Sequence, residues 1–204
     1  MANTLIADNG VSSGSAGIKY SADGTGVWAL QTTTAGGAAT TALSISAAQV
    51  VTLTNALPMA SGGTGVTTMP AFSATPSTTQ SVTSATYTKV NFGTENFDTN
   101  SNFASSRFTP TVAGYYFISG SIYSVSTTAA TYIWALVYKN GGLALSGNLN
   151  VPVSNVDGIG IVNGLVYMNG TTDYVEMYCY LAGTLPVIQT GASTVFSAFL
   201  ARGA

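Results

Sequence analysis

The residues best equipped for chemistry lie between positions 95 and 102. Glu95 precedes Asp98-Thr99-Asn100-Ser101-Asn102, and D-x-N-x-N is how an EF-hand calcium loop opens. That loop needs Gly at its sixth position and a bidentate acid at its twelfth, where this chain has Phe103 and Thr109. The EF-hand is therefore excluded. A polar loop closed by Asx turns uses the same residues. Glycoside hydrolysis would need two carboxyls about 5–10 Å apart. The available pairs are Glu95/Asp98 and Asp173/Glu176, and the second pair, three residues apart on a strand, faces opposite ways. Cys179 has no cation beside it and the chain has no His to act as base, so a buried, inert thiol is expected. Asn169-Gly170-Thr171 has the form of a glycosylation acceptor, but Asn-Gly is also a hairpin turn. No catalytic residue, metal or cofactor is assigned, and the chain is read as no enzyme.

Composition narrows the classes further. Of 204 residues only five are Lys or Arg and seven are Asp or Glu, a charged share of 6% against about 25% in ordinary soluble domains. Five scattered cations cannot form the basic footprint of a nucleic-acid binder. The absence of His removes most triads and most zinc sites. No stretch approaches the roughly 18 apolar residues of a membrane helix, so no membrane insertion is expected. The first ten residues lack a basic region followed by an apolar run, so no signal peptide is read there. With so little charge, the chain must carry a Ser/Thr/Asn/Gly surface or cover much of itself in an assembly.

The elements that position these residues differ between two regions. Of 21 aromatic residues only Tyr20 and Trp28 fall within 1–69. Large aromatics dominate core burial, so the compact domain is expected at 70–204. Within 1–69, Ile18, Tyr20, Trp28 and Leu30 flank Asp23-Gly24-Thr25-Gly26 and read as two short strands around a turn. Leu43, Ile45, Val51, Leu53 and Leu57 make a further extended run, ending in Ser61-Gly62-Gly63-Thr64-Gly65. A lone hairpin is marginal in water, so this region is expected to dock on a partner or pair with copies of itself.

From Pro70 onward, nine segments read as strands: 72–74, 86–92, 107–109, 114–125, 132–139, 143–148, 159–168, 173–181 and 194–201. Asn140-Gly141 and Asn169-Gly170 mark hairpin turns. The fold class is all-β. In 173–181, Val175, Met177, Cys179 and Leu181 form the expected core face, opposite Tyr174, Glu176, Tyr178 and Tyr180. In 132–139 both faces are apolar, with Tyr132, Trp134 and Tyr138 opposite Ile133, Ala135 and Val137. Strands this apolar on both faces suggest subunit packing by Tyr132, Trp134, Tyr138, Tyr174, Tyr178 and Tyr180. The segment 93–106 is read as the longest polar loop, and loops carry contact residues.

Residues 70–204 resemble a C1q/TNF-like jelly-roll domain. The resemblance rests on Phe72-Ser73-Ala74, on Lys89-Val90-Asn91-Phe92, and on Phe108-Thr109-Pro110 leading to Gly114-Tyr115-Tyr116-Phe117. It continues in Asn140-Gly141, Asp173-Tyr174-Val175 and Val195-Phe196-Ser197-Ala198-Phe199-Leu200. Thr172 and Ala198 stand where the family has Gly. The resemblance implies a ten-stranded jelly roll forming compact homotrimers. Some C1q-like domains bind calcium, for which Glu95 and Asp98 could supply ligands. Residues 19–28 and 60–68, including Gly62-Gly63-Thr64-Gly65, resemble segments of bacteriophage tail-fibre and virion-appendage proteins, where such stretches link a stem to a head.

Together these readings imply a homotrimeric virion fibre. Residues 1–69 would be the virion-attachment and stem segment, using Ile18, Tyr20, Trp28 and Leu30 against other virion proteins of tail, baseplate or capsid. Residues 70–204 would be the head, meeting a host-surface glycan or protein through Glu95, Asn96, Phe97, Asp98, Asn100 and Asn102. A capsid decoration protein and a bacterial surface adhesin are the alternatives.

Overall fold

The computed structural model describes residues 18–22, 28–32, 40–46, 48, 51–55, 69–125, 128–150 and 157–204. The chain divides into two units, Met1–Thr67 and Thr68–Ala204. All regular structure among the described residues is β.

The first unit is an antiparallel meander of β1 (Ile18–Ala22), β2 (Trp28–Thr32), β3 (Thr40–Ile45) and β4 (Val51–Leu53), in that order. Tyr20 stands opposite Leu30, and Ala22 opposite Trp28. This is the hairpin expected from the sequence, extended by two strands. The turn Asp23-Gly24-Thr25-Gly26 and the stretch Gly62-Gly63-Thr64-Gly65 lie outside the described residues. Val51 and Leu53 are exposed, and no residue of this unit with described burial is fully buried. Small side chains on a single sheet give it nothing to close over.

The second unit is a sandwich of two sheets. Its strands are β5 (Ala71–Thr75), β6 (Gln80–Ser81), β7 (Thr86–Lys89), β8 (Thr94–Asp98), β9 (Phe103–Ala104), β10 (Arg107–Phe108) and β11 (Gly114–Val125). They continue as β12 (Thr128–Lys139), β13 (Gly142–Asn150), β14 (Gly158–Met168), β15 (Val175–Thr184), β16 (Val187–Ile188) and β17 (Val195–Gly203). One sheet runs β6-β16-β11-β17-β5-β8, with β14 also on β11. The other runs β13-β12-β15-β10-β9, with β7 also on β15. Each of the nine segments read as strands from the sequence contains a strand, with 90–92, 109, 173–174 and 194 falling outside.

Thirteen strands replace the expected ten, four of them only two residues long. Beyond the nine segments read from the sequence, the strands are β6, β8, β9 and β16, of which three are two residues long. Thr94–Asp98 has little intrinsic strand preference but hydrogen-bonds along β5. The polar loop expected at 93–106 is thus largely two strands and their turns.

Alternation sets the core. Along β11 every second residue from Gly114 to Ser124 is buried, and along β14 every second residue from Gly158 to Met168 except Gly164. Val175, Met177, Cys179 and Leu181 are buried as expected. Phe72, 1% exposed, stacks on Phe103 and Phe108 at centroid distances of 4.5 and 4.6 Å and meets Phe196 edge-on at 5.0 Å. Burial pushes the Cys179 thiol up to about 12, which fits an inert core residue.

Both Asn-Gly turns form. Asn140 and Gly141 have φ of 52° and 81° between β12 and β13, the left-handed pair of a type I′ hairpin. Asn169 Oδ1 accepts from the backbone N–H groups of Thr171, Thr172 and Asp173, so the Asn-Gly-Thr sequence serves a turn. Gly170 has φ of +73°, and a Cβ there would press on the backbone of Val112 and Ala113. Gly170→Ala is expected to cost about 1–3 kcal/mol. Urea denaturation checks this, and a loss below about 0.5 kcal/mol would contradict it.

Candidate functional site

The six residues expected to meet a receptor separate into two groups. Glu95, Asn96 and Phe97 are exposed on the edge strand β8, where Asn96 Nδ2 donates to Ser73 Oγ at 3.1 Å. Asp98, Asn100 and Asn102 close the following turn. Asp98 accepts from the N–H of Asn100 at 3.3 Å and of Phe103 at 2.7 Å. Asn102 is buried, donating to the Asn100 carbonyl at 3.1 Å and accepting from the Thr111 N–H at 3.3 Å. Both Asp98 oxygens are thus engaged by backbone amides. Among the described residues, no cluster of three His, Cys, Asp or Glu could hold a metal ion.

Beyond this turn lies an open depression of about 550 Å³. Lys89 and Arg107 lie on it, with the hydroxyls of Ser101, Ser105, Thr109 and Thr111 around them. The two cations converge because β7 and β10 both pair with β15, which brings them to Glu176. Lys89 Nζ is 2.6 Å and Arg107 Nε 2.8 Å from the same Glu176 oxygen. Lys89 also donates to the Ser105 carbonyl at 3.0 Å, and the Arg107 guanidinium lies 3.8 Å from the Tyr174 ring centre. The sequence reading missed this cluster. Its members are 69 and 87 residues apart along the chain, and the cations were read as dispersed.

Of the acids considered for hydrolysis, Glu176 and Asp173 are held in their charged forms. Burial alone would raise the Glu176 carboxyl, but hydrogen bonds and charge from Lys89 and Arg107 hold it below the usual range. Hydrogen bonds from Lys139 and Asn140 lower Asp173, against an opposing push from burial. Neither is tuned as a general acid, which needs a raised pKa. Carboxyls depressed in the folded state contribute stability above their unfolded pKa and lose it as pH falls through the folded value. The unfolding midpoint is expected to be flat at neutral pH and to drop below about pH 4. Thermal melts across pH check this, and a midpoint that rises on acidification would contradict it.

The aromatic residues expected to pack subunits lie on the outward face of the β15 sheet. Tyr87 and Tyr180 are 5.0 Å apart, Trp134 and Tyr180 6.3 Å, Tyr132 and Tyr180 6.5 Å, and Tyr138 and Tyr178 4.3 Å. Trp134 Nε1 donates to Ser146 Oγ at 3.0 Å. Tyr132 is exposed, while Trp134, Tyr138, Tyr174, Tyr178 and Tyr180 are half-buried, largely by one another. Leu136, on the same parity, is fully buried.

A second outward face, on the β11 sheet, was not foreseen. Tyr115, Ile159, Ile161, Leu165, Tyr167 and Phe199 are all exposed there. Register sets Tyr115 opposite Tyr167, and Phe117 opposite both Leu165 and Phe199. Ring centres are 5.4 Å apart for Tyr115 and Tyr167 and 5.6 Å for Phe117 and Phe199. Ser119, Asn163 and Ser197 form the next row. Phe97, opposite Ser73 on β8, belongs to the same sheet. No residue of 115–123, 159–167 or 195–199 is charged, and charge enters at the ends of the face, where exposed Arg202 stands opposite Tyr115 and Tyr123 donates to Asp157.

In the first unit, Ile18 and Tyr20 on β1 and Trp28 and Leu30 on β2 are brought onto paired strands. Leu30 is half-buried.

No family model matches the chain, and no curated protein matches it. Solved structures do. Murine APRIL at pH 5.0 matches over 65% of this chain and 98% of its own, with TM-score 0.52 and 9% identity. Eiger TNF from S. frugiperda matches over 67% of this chain and 93% of its own, with TM-score 0.52 and 10% identity. The globular domain of zebrafish complement 1qA matches over 66% of this chain and 99% of its own, with TM-score 0.48 and 19% identity. At such identities the two likenesses with TM-scores above 0.5 show fold alone: an all-β jelly roll of the TNF type.

Proposed function

We propose that this chain is a self-associating, homotrimeric fibre protein of a virus particle, its jelly roll forming a head that adheres to a host-surface glycan or protein. The observation that carries the reading is the exposed apolar face of the β11 sheet, uncharged between Arg202 at one end and Asp157 at the other. Monomers seldom expose a contiguous patch of this kind, and an exposed apolar patch marks an interaction surface. Hydroxyl, amide and aromatic side chains across it suit a second copy of the same face better than a charged partner. Homotrimers are also what the C1q/TNF-like resemblance implies. On this reading Phe97 belongs to or borders the subunit interface rather than the receptor surface.

The virion role rests on residues 19–28 and 60–68, which resemble tail-fibre and appendage segments. The first unit would attach to other virion proteins, as a short antiparallel meander can do by docking on a partner. Three heads per fibre convert weak contacts into avidity. Particles made without this chain test the role. The reading expects intact particles that fail to adsorb to the host. Fragile capsids with normal adsorption would overturn adhesion and favour capsid decoration.

A further inference from the structure

From the depression beside β9 and β10 we infer a binding site for the carboxylate of an acidic saccharide. The inference rests on the adhesion reading for its setting, but its chemistry is local. Two of the chain's five cations meet there, and one acid, Glu176, neutralises only one of them. The site therefore carries one surplus positive charge in a chain that is otherwise nearly neutral. A monoanion complements it.

Arg107 is held for this task. Its Nε is fixed by Glu176 and its plane by Tyr174, while its side chain remains 44% exposed. The two Nη groups donate to nothing among the described residues. A planar pair of free N–H donors matches a carboxylate bidentately. The surrounding chemistry points to a sugar rather than a bare anion. Ser101, Ser105 and Thr109 line the same space, and their hydroxyls have no partner among the described residues. A volume of about 550 Å³ is in the range of small-molecule sites.

The backbone around the depression is strained. Ser101, Ser105 and Ser106 all have positive φ, of 53°, 51° and 58°. Ser105 and Ser106 form the two-residue turn between β9 and β10, where Asn-Gly would be the relaxed choice. Ser106 is accounted for by its hydroxyl, which binds the Phe92 N–H at 2.8 Å. Ser105 gives its carbonyl to Lys89 and is one of the residues that line the depression. Strain of this sort gathers where a ligand is gripped.

The full chain should be titrated with cellobiuronic acid, with cellobiose and with inorganic phosphate, followed by NMR shifts. Cellobiose differs from the acid only in lacking the carboxylate. The acid is expected to bind and to shift residues 101–111, with cellobiose and phosphate at least about tenfold weaker. Arg107→Gln is expected to weaken the acid about tenfold or more. Thr109→Val, which leaves the ion pairs intact, should weaken it a few-fold and decides the matter if Arg107→Gln does not fold. Equal binding of acid and cellobiose, phosphate binding as tight as the acid, no binding at all, or full binding by a folded Arg107→Gln chain would each overturn the inference. Light scattering on the same samples separates it from the assembly reading. A monomer that binds the acid sinks only the trimer, and a trimer that does not bind sinks only this site.

Discussion

Leu165→Asp is expected to split the assembly into single chains while leaving each one folded. Leu165 is 60% exposed in the single chain, so its side chain contributes little to the fold. It stands on β14 in the apolar row Leu165–Phe117–Phe199, opposite Phe117 on β11 with Phe199 on β17 beyond. A carboxylate there would be buried without a partner once in every subunit, at a cost of several kcal/mol each. Interfaces lose most when such an apolar anchor is changed. The measured mass should fall to the 20.7 kDa of one chain, with an unchanged β-type circular dichroism spectrum. Tyr132→Asp gives the contrast, because Tyr132 lies on the outward face of the other sheet. It should leave the mass unaltered. A reversed outcome, with Tyr132→Asp dissociating and Leu165→Asp intact, would move the interface to the aromatic face that the sequence first suggested.

Phe72→Ala should be the most damaging single truncation. The ring is almost fully enclosed and touches Phe103, Phe108 and Phe196. Those three come from β9, β10 and β17, so one side chain joins strands of both sheets. Losing it removes apolar burial and leaves a cavity between stiff neighbours, at about 3–5 kcal/mol. Against a total stability of about 5–15 kcal/mol, this is a large fraction. Denaturant midpoints measured on the dissociated Leu165→Asp background separate folding from assembly. A loss under about 1 kcal/mol would show that the aromatic cluster is not the core's centre.

Much of the fold was legible because its strands alternate. The inward set Val175, Met177, Cys179 and Leu181 could be read directly, as could the turns at Asn140 and Asn169. The strand β8 was not legible, since Thr94-Glu95-Asn96-Phe97-Asp98 becomes a strand only by lying along β5. The apolar face was hidden for another reason. In 158–168 nearly every residue is apolar or Gly, so period alone cannot say which parity faces water. The structure turns Val162 and Val166 inward and Ile161 and Leu165 outward. Glu176 illustrates a third limit. The sequence put it on the outward face, and it is there, but Lys89 and Arg107 cover it so that only 4% is exposed. Such a cluster depends on which strands are neighbours, and that is tertiary information.

The scarcity of charge gains a location from this. Five of the second unit's nine acids and bases gather at Glu176 and Asp173, where Lys89, Arg107 and Lys139 form three ion pairs with them. On the β11 face the rows from Phe117 to Ser121 carry none, and its charges lie at the two ends, Arg202 opposite Tyr115 and Asp157 on Tyr123, which suits packing against further copies of the chain. Light scattering on the purified full chain at micromolar concentration tests this most directly. The account predicts three times the 20.7 kDa chain mass, stable on dilution and in high salt. A single-chain mass under those conditions would contradict it.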